Sequence, residues 1–241
     1  VPENRAKWDL SIIQHPLINV NRKDIEIPPQ VGRIVESKPS LVGFSCYMWN
    51  VNVFNEIAKA LRERIPDTKI IWGGSEMSSD FLLQGKFDKF EMDFCVSGEG
   101  EVTFLEFLKN QSFGVPEISS IPGLAYRDHS SGPFKINSKR EALEVLHDVP
   151  SPFLTGVVDD EVLLRPKIEA NIETQRGCNL RCSYCTYHKD MNSITYSSLD
   201  RVVSEVVFLV NKGVKRVRLV DANFSSDLNY AKEINRAFIE K

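Results

Sequence analysis

Continuous apolar runs and helically spaced apolar positions alternate along the first half of the chain. Strand-like runs cover residues 9–13, 41–45, 69–72 and 93–96. The middle two runs end in small residues, and their unbroken apolar character predicts strands that are covered on both faces. Helical spacing of apolar residues from 53 to 65 predicts a helix, with Asn50 or Asn52 as its N-cap and Pro66 as its stop. A second helix is predicted from Glu101, and this alternation favours a doubly wound α/β sheet with parallel strands.

The pattern changes between residues 116 and 165, where prolines accumulate and Ser130, Ser131 and Gly132 stand together. Such a composition is typical of turns and connecting segments. We expect a linker here, with a small β-hairpin formed by residues 124–127 and 133–136.

The alternation resumes after this segment. A strand is predicted over 168–173, followed by a helix that begins after Ser197 or Ser198 and ends at Gly213. A second strand over 217–220 and a further helical pattern complete a β-α-β-α series. This series is typical of the opening of a barrel or of a second open sheet.

We therefore expect two domains, over residues 1–115 and 166–241, joined by the linker over 116–165. The first residue is Val1 rather than Met, and the helical pattern continues to Lys241 without a stop signal. We expect the first domain to lack its first strand and the second to contain only its first two strand–helix units.

The composition is that of a folded globular protein. The chain has 241 residues, of which 42% are hydrophobic and 26% are charged, and its formal net charge is −3. This balance offers no basic surface for nucleic acid, which is therefore not an expected partner. No apolar run approaches the ~18 residues of a membrane span, and no signal peptide opens the chain, so we expect a cytoplasmic protein with no membrane partner.

Three of the five cysteines stand close together as Cys178-x3-Cys182-x2-Cys185, directly after a predicted strand. Three thiolates from one loop can ligate three irons of a [4Fe–4S] cluster and leave the fourth iron open to another ligand. Together with His188, the same cysteines could instead form a zinc site, because thiolates and imidazole also suit zinc. A chance grouping of structural cysteines is the third interpretation that the spacing leaves open.

The cysteine spacing, with Tyr184 before the third cysteine, resembles the signature of the radical S-adenosylmethionine (SAM) superfamily. The resemblance implies that Cys178, Cys182 and Cys185 hold a [4Fe–4S] cluster, that SAM chelates the open iron, and that reductive cleavage of SAM gives a 5′-deoxyadenosyl radical. It also implies a partial (βα)6 TIM-like barrel, with Tyr184 beside the adenine of SAM. An electron donor such as flavodoxin or ferredoxin is then an expected partner.

Four polar residues near the ends of the two later strands extend this resemblance. Asp221 and Asn223 stand where the family carries a glycine-rich acidic motif for the SAM amino group, although the glycines are absent here. Glu173 and Arg176 resemble a Glu and an Arg of cobalamin-dependent members, which implies cofactor binding by this pair as well. A Glu and an Arg at this spacing also suit a structural salt bridge.

Small and polar residues follow three predicted strands of the first domain. They are Ser45-Cys46-Tyr47, Gly73-Gly74-Ser75-Glu76 and Ser97-Gly98-Glu99-Gly100-Glu101. In an open α/β sheet, ligands bind outside the carboxyl ends of the strands, and small residues let a bulky ligand approach the backbone.

The three segments together resemble the Rossmann-like (flavodoxin-like) cobalamin-binding domain that precedes the cysteine triplet in one radical SAM subgroup. The resemblance implies that the nucleotide tail of cobalamin threads between these loops. The candidate cobalamin-binding residues are Ser45, Tyr47, Gly73, Gly74, Glu76, Gly98, Glu99 and Gly100.

Residues near these loops have plainer interpretations. Cys46 and Cys95 fit small buried strand residues. Tyr47-Met48-Trp49 suits either contact with the corrin ring or packing against the next helix. His15 lacks the Asp-x-His-x-x-Gly context in which some cobalamin domains supply a cobalt ligand, so we expect a strand-end or core histidine.

The combined resemblance implies a cobalamin-dependent radical SAM enzyme, most often a methyltransferase acting on an unactivated carbon of a small-molecule or peptide substrate. Three other functions stay open: a cyclase, ring-contraction or other rearrangement enzyme, a methylthiotransferase, and a non-enzymatic cobalamin- or zinc-binding module. Only Cys46 and Cys95 are available beyond the triplet, which disfavours the second cluster of a methylthiotransferase.

Overall fold

The computed structural model describes residues 8–13, 28–128, 132–165, 168–185, 187 and 193–240. The chain divides into two units, Val1–Glu141 and Ala142–Lys241. Within the described stretches, no helix has the length and apolar character needed to cross a membrane.

The first unit alternates helices and strands, and it contains the three predicted strands over 41–45, 69–72 and 93–96 with the helices predicted after the first and third of them. Its helices are α1 (Pro28–Ser37), α2 (Val51–Arg64), α3 (Ser79–Leu83) and α4 (Gly100–Phe113), and its strands are β1 (Leu41–Ser45), β2 (Lys69–Gly73), β3 (Phe94–Val96), β4 (Leu124–Tyr126) and β5 (Lys135–Ile136). Strands β1, β2 and β3 pair in parallel, and β4 and β5 add in antiparallel pairs, so the strands follow one another across the sheet in chain order.

Strand β2 shows how the sheet is covered on both faces. Ile70 and Trp72 lie in a cluster with residues of α1 and α2. Ile71, whose side chain points to the other face, lies instead in a cluster with Phe94 and with Phe107 of α4. All three β2 side chains are buried, and burying an apolar side chain of this size stabilises a fold by roughly 2 kcal/mol. The predicted doubly wound α/β arrangement is confirmed.

Helix α2 lies where the sequence predicts it. Asn50 is its N-cap residue and Ile65 its C-cap residue, one position before Pro66. Helix α1 is not predicted from the sequence, although its Val31 and Ile34 are buried in the same cluster as Trp72.

The predicted strand over residues 9–13 is wrong. The structure has no helix or strand there, and Ile12 is 90% exposed, although Ile13 packs against the core. An apolar run becomes a strand only where a neighbouring edge pairs with it, and the local pattern does not specify that partner.

The predicted hairpin forms, and it is part of the first sheet. Strand β4 pairs with β3, with Tyr126 opposite Phe94. Arg127 then fastens the hairpin, because its Nη2 donates to the carbonyl oxygens of Phe87 and Asp88 at 3.1 Å each. The first unit therefore extends to Glu141, past the expected domain limit at residue 115.

The second unit has the predicted β-α-β-α order. Its helices are α5 (Asp160–Leu163), α6 (Leu199–Asn211) and α7 (Leu228–Ile239), and its strands are β6 (Ala170–Ile172), β7 (Gln175–Arg176), β8 (Thr195–Tyr196) and β9 (Val217–Leu219). Strands β6 and β9 pair in parallel, with Ile172 opposite Leu219. Helix α6 is capped by Ser198, and its Val202 and Leu209 are buried in the same cluster as Ile172.

Candidate functional site

The carboxyl ends of β1, β2 and β3 bring the three predicted loops of the first unit to one edge of the sheet. The loops after β1 and β2 are joined through their backbones, since Cys46 N donates to Gly73 O at 2.6 Å and Glu76 N donates to Cys46 O at 3.2 Å. The edge therefore presents a continuous backbone surface, which is where ligands bind in open α/β sheets.

Gly74 is required at this edge by its surroundings. Its φ is +103°, and a Cβ there would lie 2.5 Å from the carbonyl oxygen and 2.7 Å from the nitrogen of Cys46. Gly98 also has a positive φ, +78°, but a Cβ on it would meet no atom within 4 Å. Gly74 thus serves the close approach of two loops, whereas Gly98 serves the turn that leads into α4.

Tyr47 and Trp49 form a stacked aromatic pair beside these loops. Their ring centroids lie 4.8 Å apart and their planes differ by 2°. Both side chains are exposed, and Met48 between them is 76% exposed. None of the three side chains is buried in the core, and the segment presents apolar surface at the sheet edge.

The two acidic candidates of this edge occupy different positions. Glu76 forms a salt bridge with Lys86, whose ammonium lies 3.8 Å from the centroid of the Phe81 ring. Glu99 is the N-cap residue of α4, and Gly100 is the first residue of that helix. The carboxylate of Glu76 is therefore held within the protein.

Cys46 and Cys95 are fully buried, as expected, although Cys46 lies one position after the end of β1. Burial raises the pKa of the Cys46 thiol well above its usual range, with a smaller contribution from Cys95. Burial also raises the pKa of Cys95 to about 12. Both side chains are protonated core groups at neutral pH.

The cysteine loop of the second unit begins at Gly177. Any other residue at this position would force the neighbouring backbone to move. Its φ is +105°, and a Cβ on it would overlap the carbonyl oxygen of Ser193 and lie 3.1 Å from the Cα of Ile194. The Gly177 N–H donates to the Tyr187 hydroxyl at 3.3 Å. These contacts direct the chain from β7 into the loop.

Cys178, Cys182 and Cys185 are free of disulfides and partly exposed. The N–H of Cys185 donates to the carbonyl of Cys182 at 3.0 Å, which closes a turn between them. Among the described residues, no group of three or more His, Cys, Asp or Glu side chains is arranged to hold a metal ion. His188 lies outside the described residues. The donor set nevertheless fits an iron–sulfur cluster in its chemistry, because it offers three accessible thiols from one loop.

Tyr184 is 87% exposed on this loop. Its ring is therefore open to contact by a ligand or by another part of the protein.

Asp221 is placed by the structure against the end of β6. Its Oδ1 accepts from the backbone N–H of Thr174 at 2.7 Å and from that of Gln175 at 3.0 Å, and its Oδ2 accepts from the Thr174 hydroxyl at 2.7 Å. This carboxylate holds the segment that leads to the cysteine loop.

Asn223 connects the end of β9 to the cysteine loop itself. Its Nδ2 donates to Oδ1 of Asn179, the residue after the first cysteine, at 3.1 Å. Its backbone carbonyl accepts from Nε2 of Gln175, whose Oε1 accepts from the Ser226 hydroxyl at 2.8 Å. Gln175 is completely buried, so its amide ties the two loops together in a site protected from water.

Gln175 and Thr174 are site residues that the sequence pattern does not indicate. Their partners lie 46 to 51 positions away, and no local pattern indicates such contacts. Only the parallel pairing of β6 with β9 brings the two segments together.

Glu173 and Arg176 form an ion pair, as their spacing allows. Nη2 of Arg176 lies 2.7 Å and Nε lies 3.1 Å from Oε2 of Glu173, and Nε also lies 3.3 Å from Oε1. The pair spans the segment between β6 and the cysteine loop.

Two family models match the chain. The B12 binding domain model matches residues 6–108, and the Radical SAM superfamily model matches residues 172–241.

Curated relatives and a solved structure agree with these matches. The chain is 32% identical over 200 residues to the cobalamin-dependent radical SAM methyltransferase TokK of Streptomyces tokunonensis, a match that covers 78% of this chain and 28% of TokK. It is 28% identical over 198 residues to the 2-(S-pantetheinyl)-carbapenam-3-carboxylate methyltransferase of Streptantibioticus cattleyicolor, covering 77% of this chain and 28% of that protein. The fold is similar to that of OxsB, a cobalamin-dependent SAM radical enzyme, with a TM-score of 0.69, 20% identity and coverage of 89% of this chain and 31% of OxsB.

A B12-binding α/β domain followed by a strand–cysteine-loop–helix domain defines one class of protein. The chain belongs to the radical SAM superfamily, among those members that carry a B12-binding domain. It spans 28% of the length of TokK and of the carbapenam methyltransferase.

Proposed function

We propose that the chain is the cofactor-binding part of a cobalamin-dependent radical SAM methyltransferase. The observation that carries the proposal is the cysteine loop, with three accessible free thiols after a buried strand, in the domain that the Radical SAM model matches. The B12-binding match in the same chain adds the second cofactor. When bound, the cluster would cleave SAM reductively to a radical, and cobalamin would carry the methyl group that is transferred.

In the second unit, Cys178, Cys182 and Cys185 would ligate three irons of a [4Fe–4S] cluster. The exposed Tyr184 would pack against the adenine of SAM. Asn223 would offer its side chain near the SAM amino group, next to Asn179 of the loop. We assign Asp221 a positioning role, because its carboxylate oxygens already accept three hydrogen bonds from Thr174 and Gln175.

In the first unit, the loops after β1, β2 and β3 would receive the nucleotide tail and corrin of cobalamin. Because Gly74 lies directly against the backbone of Cys46, the loop after β2 stays close to the edge of the sheet. A bulky ligand could therefore reach the backbone there. The exposed Tyr47 and Trp49 rings would cover apolar parts of the corrin.

Methyl transfer is favoured over the other functions by the names of the relatives, two of which are methyltransferases. We propose that the acceptor is an unactivated carbon of a small molecule or peptide. A reduced flavodoxin or ferredoxin would supply electrons to the cluster.

The test is anaerobic reconstitution with iron, sulfide and hydroxocobalamin. We expect about four irons per chain, since one cubane is proposed, together with one cobalamin. Cys182→Ala should lose the iron, while the neighbouring exposed Ser183→Ala should retain it. Stoichiometric zinc in place of iron would contradict the cluster, and about eight irons would favour a methylthiotransferase.

Reaction type is then read from the products of SAM in the full-length protein with substrate. Both S-adenosylhomocysteine and 5′-deoxyadenosine are expected from a methyltransferase. 5′-Deoxyadenosine alone would favour a cyclase, ring-contraction or other rearrangement enzyme.

A further inference from the structure

Asn50 is the N-cap residue of α2, but its side chain does not cap the helix. Its Oδ1 accepts from the backbone N–H of Tyr47 at 2.7 Å, and its Nδ2 donates to the carbonyl oxygen of Ser45 at 3.1 Å. An N-cap Asn ordinarily accepts a hydrogen bond from the second or third N–H of its own helix. Here the amide bridges the loop after β1 instead.

The two partners determine both the orientation of the amide and the type of residue. A backbone N–H only donates and a carbonyl only accepts, so the oxygen must face Tyr47 and the nitrogen must face Ser45. A side chain of this length that offers a separate donor and acceptor is that of Asn. Asp offers acceptors only when ionised, and Ser has a single oxygen for both partners.

The bridge closes the loop that carries the stacked aromatic pair. The N–H groups of Asn50 and Val51 both donate to Tyr47 O at 3.0 Å, so the turn from Tyr47 to Asn50 is fastened through backbone and side chain together. Within this turn the Tyr47 and Trp49 rings lie parallel and remain exposed. Because they are exposed, the hydrophobic effect contributes little free energy to holding them in this arrangement. The fold therefore holds an apolar surface in place at the carboxyl edge of the sheet.

We propose that Asn50 is a positioning residue that keeps the Tyr47–Trp49 pair preformed as a contact surface for the corrin ring. The inference rests on the proposed cobalamin site of the first unit. A flat, largely apolar macrocycle binds more tightly to a surface whose side chains are already ordered, because less conformational entropy is lost on binding. Asn50 itself makes no contact with the corrin in this proposal.

The test compares Asn50→Ser with Asn52→Ser in otherwise unchanged protein. Serine is as good an N-cap residue as asparagine, so Asn50→Ser preserves the helix start while its short side chain cannot span Ser45 and Tyr47. Asn52 is an exposed residue in the first turn of the same helix and serves as the matched control. Hydroxocobalamin is titrated into each protein by calorimetry, and near-ultraviolet circular dichroism of the cobalamin-free proteins reports on the aromatic pair, with Trp49→Phe as the reference for its signal.

We expect the Kd of Asn50→Ser for hydroxocobalamin to rise about tenfold, which corresponds to about 1.4 kcal/mol. Its near-ultraviolet spectrum should approach that of Trp49→Phe, while its melting temperature stays close to that of the unsubstituted protein. Asn52→Ser should match the unsubstituted protein in all three measurements.

A second variant, Asn50→Asp, tests the bridge if the serine variant does not fold. It retains an acceptor for Tyr47 N–H but sets a carboxylate oxygen against Ser45 O in place of the donor, so a rise in Kd is again expected. If the unsubstituted protein binds hydroxocobalamin tightly and both Asn50 variants bind it with the same Kd, the role of Asn50 is overturned. The proposed cobalamin site is then kept. Absence of hydroxocobalamin binding by the unsubstituted protein would overturn the proposed cobalamin site, and the inference with it.

Discussion

Asp221 accepts two hydrogen bonds from Thr174, one from its backbone N–H and one from its hydroxyl, each at 2.7 Å. The two residues follow β9 and β6, the parallel strands of the second unit. Their contact fastens the two strand ends to each other directly ahead of the cysteine loop. The family resemblance implies that Asp221 binds SAM, but in this structure its carboxylate anchors the segment ahead of the cysteine loop.

Asp221→Ala should open the segment after β6. The substitution leaves the N–H groups of Thr174 and Gln175 without their acceptor, and a hydrogen bond to a charged group contributes about 1.5–3 kcal/mol. The amides of these two residues should therefore exchange hydrogen about tenfold faster or more, as followed by mass spectrometry. Asp200→Ala, which removes an exposed carboxylate from the first turn of α6, should change neither amide. Equal exchange in both variants would contradict the anchoring role.

Gly177→Ala should destabilise the second unit far more than Gly156→Ala. Both glycines have a positive φ, +105° and +67°, but only at Gly177 would the added Cβ meet backbone, whereas nothing lies within 4 Å at Gly156. The conformational cost common to both is about 1–2 kcal/mol, and Gly177→Ala adds the overlap with Ser193. Thermolysin cleavage within Ala142–Lys241, mapped by mass spectrometry, should accelerate at least about tenfold more in Gly177→Ala. Equal cleavage rates would show that Ser193 moves aside freely.

Iodoacetamide should separate the five cysteines into two groups. Burial raises the pKa of Cys46 and Cys95, the latter to about 12, and the reactive form is the thiolate. In the native protein without metal at about pH 8, we expect modification of Cys178, Cys182 and Cys185 only. In denaturant all five should react. Early modification of Cys46 or Cys95 would mean that the first unit opens at its sheet edge.

Tyr230 should make the second unit sensitive to high pH. Burial, together with the charge of Asp221, raises its pKa to about 12, whereas the pKa of an unfolded tyrosine is about 10. The folded state therefore binds more protons than the unfolded state between these values, so stability falls as pH rises above about 10.

Tyr230→Phe isolates this contribution. The Tyr230 hydroxyl lies 2.7 Å from the Ser197 carbonyl and 3.0 Å from that of Thr174. Its loss should cost about 1 kcal/mol at neutral pH, while the decline at alkaline pH becomes shallower. Urea midpoints measured by circular dichroism at about pH 8 and about pH 11 test both effects. Tyr184→Phe, at an exposed position, is the control and should reproduce the unsubstituted protein.

Sequence pattern alone was sufficient for the layered fold of the first unit. The unbroken run that contains Ile70, Ile71 and Trp72 predicted a strand buried on both faces, and the structure places these side chains in clusters on the two faces. The same method failed at residues 9–13, because an apolar run without a pairing edge does not become a strand. It also did not place β4 in the first sheet, since nothing local indicates that β4 pairs with β3.

The cysteine triplet was visible in the sequence because spacing along a loop is a local property. The sequence likewise determined that small residues follow the strands of the first unit. The tertiary structure decided what the polar residues around these motifs do: Asp221 holds Thr174, Gln175 holds the loop of Asn223, and Asn50 bridges a loop instead of capping its helix. Local patterns govern which side chains an element buries, but hydrogen-bond partners depend on which chain segments the sheet brings together, and for Asp221 and Gln175 those segments lie more than forty residues apart.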